Sequence, residues 1–192
     1  MKKFILLTFL MCLIGGISSV MAQDVVTIGD GTTQQYYAPF DAYSSNSGSQ
    51  TYYLSSEIGK PGGGTIDKIS YNVALANNYD KNIRVYMRNT EDDYFPRTSD
   101  GKYEMVNMTN EDLVFDGIVN PGTIGWMTID LTNDFNYEGK NLLIAIYDAT
   151  GATNQIDAKF NAYSSSINNN ADYRTIYKSG TSGNPVSNYT VN

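Results

Sequence analysis

Carboxylates and tyrosines are the chemically capable side chains this chain has in quantity: 20 Asp and Glu and 16 Tyr, against no His. Its one cysteine is Cys12. Without imidazole, the common Ser–His and Cys–His nucleophile arrangements are unavailable. Paired acids could still drive glycoside hydrolysis, and Glu91-Asp92-Asp93 and Glu111-Asp112 supply them. A glycosidase needs its two carboxyl groups facing each other across a cleft, about 5–10 Å apart. Acids adjacent in one loop do not meet that requirement, and a solvated loop is the simpler reading of both groups.

Two other carboxylates sit where a hard cation could use them. Asp30 lies between Gly29 and Gly31, and Asp148 precedes Ala149-Thr150-Gly151. Calcium takes six to eight oxygen ligands from loop carboxylates and backbone carbonyls. Asp30 and Asp148 are therefore the candidate ligands for a structural calcium that would staple loops. The plainer account is that both sequences are ordinary turns.

Tyrosine offers binding chemistry of a different kind. A planar aromatic ring with a polar edge stacks on the C–H face of a sugar at low entropic cost. Tyr36, Tyr37, Tyr43, Tyr163 and Tyr173 lie among Gly, Ser, Asn and Gln, which points to partial exposure and makes them the candidate ligand-binding residues. Tyrosine also favours half-buried strands, and Tyr71 and Tyr147 read as core.

These side chains sit behind what reads as an export leader. Lys2 and Lys3 precede an apolar run over residues 4–17, and Val20-Met21-Ala22 offers a cleavage site, so residues 1–22 read as a signal peptide. Cys12 falls inside the apolar run and would leave with it. The mature chain, 23–192, is then a single domain without disulfides, a pattern that suits a bacterial exported protein. Removing Lys2 and Lys3 leaves 11 basic residues against 20 acidic ones. That acidic balance disfavours nucleic acid and anionic membrane surfaces as partners. No second apolar run approaches the length of a membrane span. The triplets Asn107-Met108-Thr109 and Asn188-Tyr189-Thr190 match a glycosylation signal that carries little weight in such a setting.

The elements that must position the candidate residues are strands. Val25 to Ile28, Tyr36 to Phe40 and Thr51 to Leu54 read as short strands, with Pro39 limiting the second to an edge. Ile69, Tyr71, Val73 and Leu75 share one face of a half-buried strand, and Ile83, Val85 and Met87 share one face of the next. Asn77 to Lys81 has the chemistry of a hairpin connection between them. Residues 89–110 form a long unpatterned stretch, expected to be a working loop or a crossing between sheets. Thr109-Asn110-Glu111-Asp112 could cap one helical turn before Leu113. In Trp126 to Leu131, Met127, Ile129 and Leu131 alternate with Trp126, Thr128 and Asp130, and either set could face inward. Leu142 to Tyr147 is almost continuously apolar, as a central strand covered on both faces should be. Ile156 to Tyr163 and Tyr173 to Tyr177 complete the set. Roughly ten short strands without a helical partner predict an all-β fold, an antiparallel two-sheet β-sandwich.

The order of motifs also resembles a known family. Val26-Thr27-Ile28-Gly29-Asp30-Gly31-Thr32 opens the series, followed by Pro39-Phe40, Ser49-Gln50-Thr51-Tyr52-Tyr53 and Glu57-Ile58-Gly59. Gly64 to Tyr71, Ile83 to Met87, Leu113 to Gly117, Gly125 to Ile129, Asn141 to Ile144 and Asp148 to Gly151 continue it. The succession is similar to an exported module of bacterial surface proteins that occurs beside fibronectin type III and gingipain-type cleaved-adhesin domains. The resemblance covers most of residues 25–178. It implies a jelly-roll-like sandwich with an adhesive or glycan-facing role and no catalytic residues to carry over.

The leading expectation is a non-catalytic binding module at the periplasm or cell surface, whose partner is a glycan or a host or extracellular-matrix protein. The alternative is a structural subunit of a surface assembly, for which the polar run Val186 to Val191 would serve as a strand that pairs with a partner. A glycoside hydrolase is the third and weakest reading.

Overall fold

The computed structural model describes residues 24–152, 157–162, 173–180 and 190–191. The proposed leader, Tyr163 and residues 186–189 lie outside these. In chain order the strands are β1 Thr33–Gln35, β2 Ser47–Tyr53, β3 Gly64–Leu75, β4 Lys81–Thr90, β5 Tyr103–Glu104, β6 Leu113–Val119, β7 Gly125–Tyr137, β8 Asn141–Asp148, β9 Lys159–Ala162, β10 Thr175–Ser179 and β11 Thr190–Val191. One helical turn, Ser55–Ile58, and one 3₁₀ turn, Asn110–Asp112, interrupt them.

The strands form two antiparallel sheets packed face to face, as the sequence predicts. One has the order β1-β9-β3-β7 and the other β10-β2-β8-β4-β6, with β5 and β11 paired separately. Consecutive long strands switch sheets repeatedly, which is why hydrophobic residues from distant parts of the chain meet in one core. Val73, Ile129 and Phe160 from the four-stranded sheet pack with Val85, Met87, Ile144 and Ile146 from the five-stranded one. Strand β8 is central in its sheet and buried from Leu142 to Asp148, matching its unbroken apolar run.

Its second face is covered by the stretch that reads as a working loop. Phe95, Met105 and Met108 leave the 91–109 connection and cover Tyr52, Tyr86, Leu143, Ala145 and Ile176 on the outer face of the five-stranded sheet. The segment lacks periodicity because it supplies single apolar plugs instead of a regular face. Its end behaves as the sequence predicts: Thr109 caps the 3₁₀ turn, accepting at Oγ1 from the Glu111 N–H at 3.3 Å while its own N–H donates to Asp112 Oδ2 at 2.7 Å.

Three local expectations fail for identifiable reasons. Residues 76–80 do not close a hairpin; they carry the chain from β3 in one sheet to β4 in the other. Asn77 is buried, and its N–H donates to Pro121 O at 2.9 Å, which ties this crossing to the β6–β7 turn. Leu75 is 42% exposed although its parity matches Val73, because the register with β9 shifts between the two. Val25 to Ile28 pairs with nothing regular, and the first strand lies at Thr33–Gln35, before Tyr36. Pro39, with no N–H to donate, keeps Tyr36 to Phe40 out of the ladder.

Candidate functional site

The outer face of the four-stranded sheet carries one transverse row of polar and aromatic side chains. Gln34 on β1 is opposite Asn161 on β9, and Asn72 on β3 is opposite Trp126 on β7. Val73 pairs with Phe160, which places Asn72 beside Asn161 and completes a row across all four strands. The parity is fixed by burial, since Val73, Ile129 and Phe160 fill the core and their strand neighbours must point away from it. At about 4.8 Å between strands, the row extends about 14 Å.

Its two central amides hold each other. Asn161 Nδ2 donates to Asn72 Oδ1 at 2.7 Å, leaving Asn72 Nδ2 as a donor and Asn161 Oδ1 as an acceptor toward solvent. Ser70 and Thr128 share a hydrogen bond of 2.8 Å in the next row, and Lys68 pairs with Asp130 at 2.6 Å beyond it. These cross-strand pairs are the means by which a sheet surface acquires a defined shape. Trp126 ends the row, 62% exposed. A tryptophan left in water beside ordered amides and hydroxyls is what requires explanation, because indole is normally drawn into a core.

The tyrosines named from sequence fall into separate groups. Tyr36 borders the row at its β1 end, where Lys159 Nζ stands 4.5 Å from its ring centroid. Tyr37 is stacked on Tyr177 with centroids 4.3 Å apart and rings 2° from parallel, so one face of its ring is already occupied. Tyr173 makes an edge contact with Tyr103 at 4.8 Å. Tyr43 is 47% exposed, next to the bend built on Asp41, whose Oδ1 accepts from the Tyr43 N–H at 3.0 Å. Tyr163 lies outside the described residues. Of the four described, the structure thus brings one, Tyr36, to the row.

The acids are dispersed. Glu91, Asp92 and Asp93 are exposed, with Glu91 paired to Lys140. Asp112 is paired to Arg88, whose Nε donates to Oδ1 at 2.9 Å. Burial pushes the Asp112 carboxyl up, but the bonds from Arg88 and from Thr109 outweigh it and hold the group below the usual carboxylate range. Asp30 is exposed in the irregular segment before β1, whereas Asp148 is fully buried and paired with Lys81. Among the described residues, no three His, Cys, Asp or Glu side chains cluster closely enough to hold a metal ion. No helix among them is long and apolar enough to cross a membrane.

No protein-family model, curated protein or solved structure matches this chain.

Sequence reasoning missed Trp126, Asn72, Asn161 and Lys159 as members of a site. The signal for Trp126 was present. Met127, Ile129 and Leu131 are uniformly apolar, whereas the alternate set contains Thr128 and Asp130, so the tryptophan shares the polar face. Nothing local identifies Asn72 and Asn161 as neighbours, because 89 residues separate them in the chain.

Proposed function

We propose that this chain is a non-catalytic binding module that recognises glycans on the outer face of its four-stranded sheet. The supporting observation is the exposed Trp126 at the end of a row of outward amides held in cross-strand register. A pyranose offers an apolar C–H face to the indole and hydroxyls to the amides, and the sheet presents both from adjacent strands. The leader-like first 22 residues support export, with the module acting at the cell surface or in the periplasm. A glycan array probed with the wild type and with Trp126→Ala tests the reading. Sugar-specific signal lost in the variant is expected; a wild type that binds no glycan rejects the reading.

A second reading, a subunit of a surface assembly, draws support from the open side of the sandwich. Strands β6 and β7 end their respective sheets and run beside a cleft of about 260 Å³ that includes Phe115, Val119, Met127 and Ile129. Unpaired edges of this kind accept added strands. Light scattering on the purified mature chain separates the readings, since a concentration-independent monomer weakens the assembly.

A further inference from the structure

We propose that this face selects glycans bearing an isolated carboxylated sugar, with the Lys159 ammonium meeting the carboxylate. The inference rests on the glycan reading above and specifies its ligand class.

Lys159 precedes the buried Phe160 on β9 and shares the outward face with Asn161, about 6.6 Å farther along the strand. Most described cations of this acidic protein meet a carboxylate; Arg97, whose Nε donates to Gly101 O at 2.9 Å, and Lys159 have no such salt bridge. Lys68, Lys81, Arg84, Arg88, Lys140 and Arg174 all pair with carboxylates. Lys159 forms no salt bridge among the described residues, and its ammonium lies over the Tyr36 ring instead. Carboxylates are in excess, 20 against 13 cations in the whole chain, so shortage of partners does not explain this placement.

The ring contact has two effects. It holds a long flexible side chain at a defined position, which lowers the entropic cost of meeting a ligand. It also leaves ammonium hydrogens directed away from the ring for an acceptor, because an aromatic face satisfies the charge without removing its donors. The result is a positioned cation on β9, next to the amide row and two strands from Trp126 on β7, on the Tyr36 side of the sheet. A glycan with one sugar stacked on Trp126 and its chain across Asn72 and Asn161 would reach Lys159 with a later residue. The ligand is therefore at least a disaccharide, with its acidic sugar at the Tyr36 end.

The protein's overall charge narrows the class further. With 11 basic residues against 20 acidic ones once Lys2 and Lys3 are removed, the protein repels a densely anionic chain, whereas one carboxylate is attracted locally within the screening length of about 8 Å. An isolated acidic sugar satisfies both constraints, and a polysulfated chain does not.

The test is an array of matched neutral and carboxylated oligosaccharides, including lactose with sialyllactose and a neutral disaccharide with its glucuronic acid counterpart. Wild type, Lys159→Gln and Trp126→Ala are compared at low and high salt. A charge-assisted hydrogen bond predicts about tenfold tighter binding of a carboxylated member over its neutral partner. Lys159→Gln should erase that preference, so that matched neutral and carboxylated members bind the variant alike, and high salt should do the same to the wild type. Equal binding of matched partners, or a preference that survives Lys159→Gln, overturns the inference and leaves the glycan reading standing. No binding to any member rejects the glycan reading itself, and this inference with it.

Discussion

Lys81 Nζ lies 2.8 Å from Asp148 Oδ2, and neither side chain has any solvent exposure. The ammonium also donates to Ser44 O at 2.8 Å, while Asp148 Oδ1 accepts from the Thr150 N–H at 2.9 Å. The pair joins the first residue of β4 to the last of β8 and to the bend before β2. Turn chemistry offers Asp148 to a metal ion; the fold gives it the chain's own ammonium.

Breaking this pair from one side should be costly. Lys81→Met leaves a buried carboxylate without its counter-ion, a change expected to cost about 3–5 kcal/mol in denaturant unfolding. The double variant Lys81→Met/Asp148→Leu should recover most of that loss, because an apolar pair avoids desolvating two charges. Calcium should not raise the wild-type melting temperature relative to a chelator, since binding at Asp148 would first have to displace Lys81. A calcium-dependent rise would show that the carboxylate is more available than its geometry indicates.

The long connection between β4 and β6 is predicted to act as structure. Phe95 is fully buried and contacts the Tyr52 ring at 4.5 Å between centroids. Phe95→Ala should lower stability by about 3–5 kcal/mol, the usual cost of emptying a buried aromatic site. An ordinary mobile loop would tolerate the change within about 0.5 kcal/mol. Urea unfolding with an unchanged m-value would assign the effect to the folded state.

The fold was more legible in the sequence than the site was. Period-two alternation identified β3, β4 and β7, and the unbroken apolar run identified β8 as central, because burial acts directly on residue type along a strand. Where the chain crosses between sheets, the same turn residues serve as in a hairpin, so Asn77 to Lys81 could not be distinguished from one. Phe95, Met105 and Met108 were hidden because isolated plugs have no period. The candidate face suffered similarly: Trp126 could be placed by parity, but its neighbours come from strands far apart in the chain. Sheet order, which no local pattern encodes, brings Gln34, Asn161, Asn72 and Trp126 together.

Acid should act partly through the pairs that hold the irregular segments. Asp112 has a carboxyl below its ordinary range, as does Glu57, where burial opposes the shift but the bonds from Arg174 and the Leu54 N–H prevail. A carboxyl depressed in the folded state binds its proton more weakly than in the unfolded chain. Its contribution is therefore full above the unfolded value of about 4 and is lost as pH falls through the folded one. Unfolding free energy should decline below about pH 4, and Asp112→Asn should flatten that decline while lowering stability at pH 7. An unchanged slope in the variant would mean that other carboxylates carry the acid response.

Mutating the aromatics one at a time should separate the sheet face from the other exposed rings. Trp126 is mostly in water, so Trp126→Ala should leave stability within about 0.5 kcal/mol of the wild type while abolishing glycan binding. Tyr43→Ala and Tyr173→Ala, which alter rings outside the row, should bind as the wild type does. Tyr36→Ala should be intermediate, weakening binding through Lys159, which loses the ring beneath its ammonium. The order of effects decides the matter in isothermal titration with a glycan selected on the array. If Tyr43 or Tyr173 matters more than Trp126, ligand is held by the exposed tyrosines that composition alone pointed to, and the amide row is merely the solvated side of a sheet.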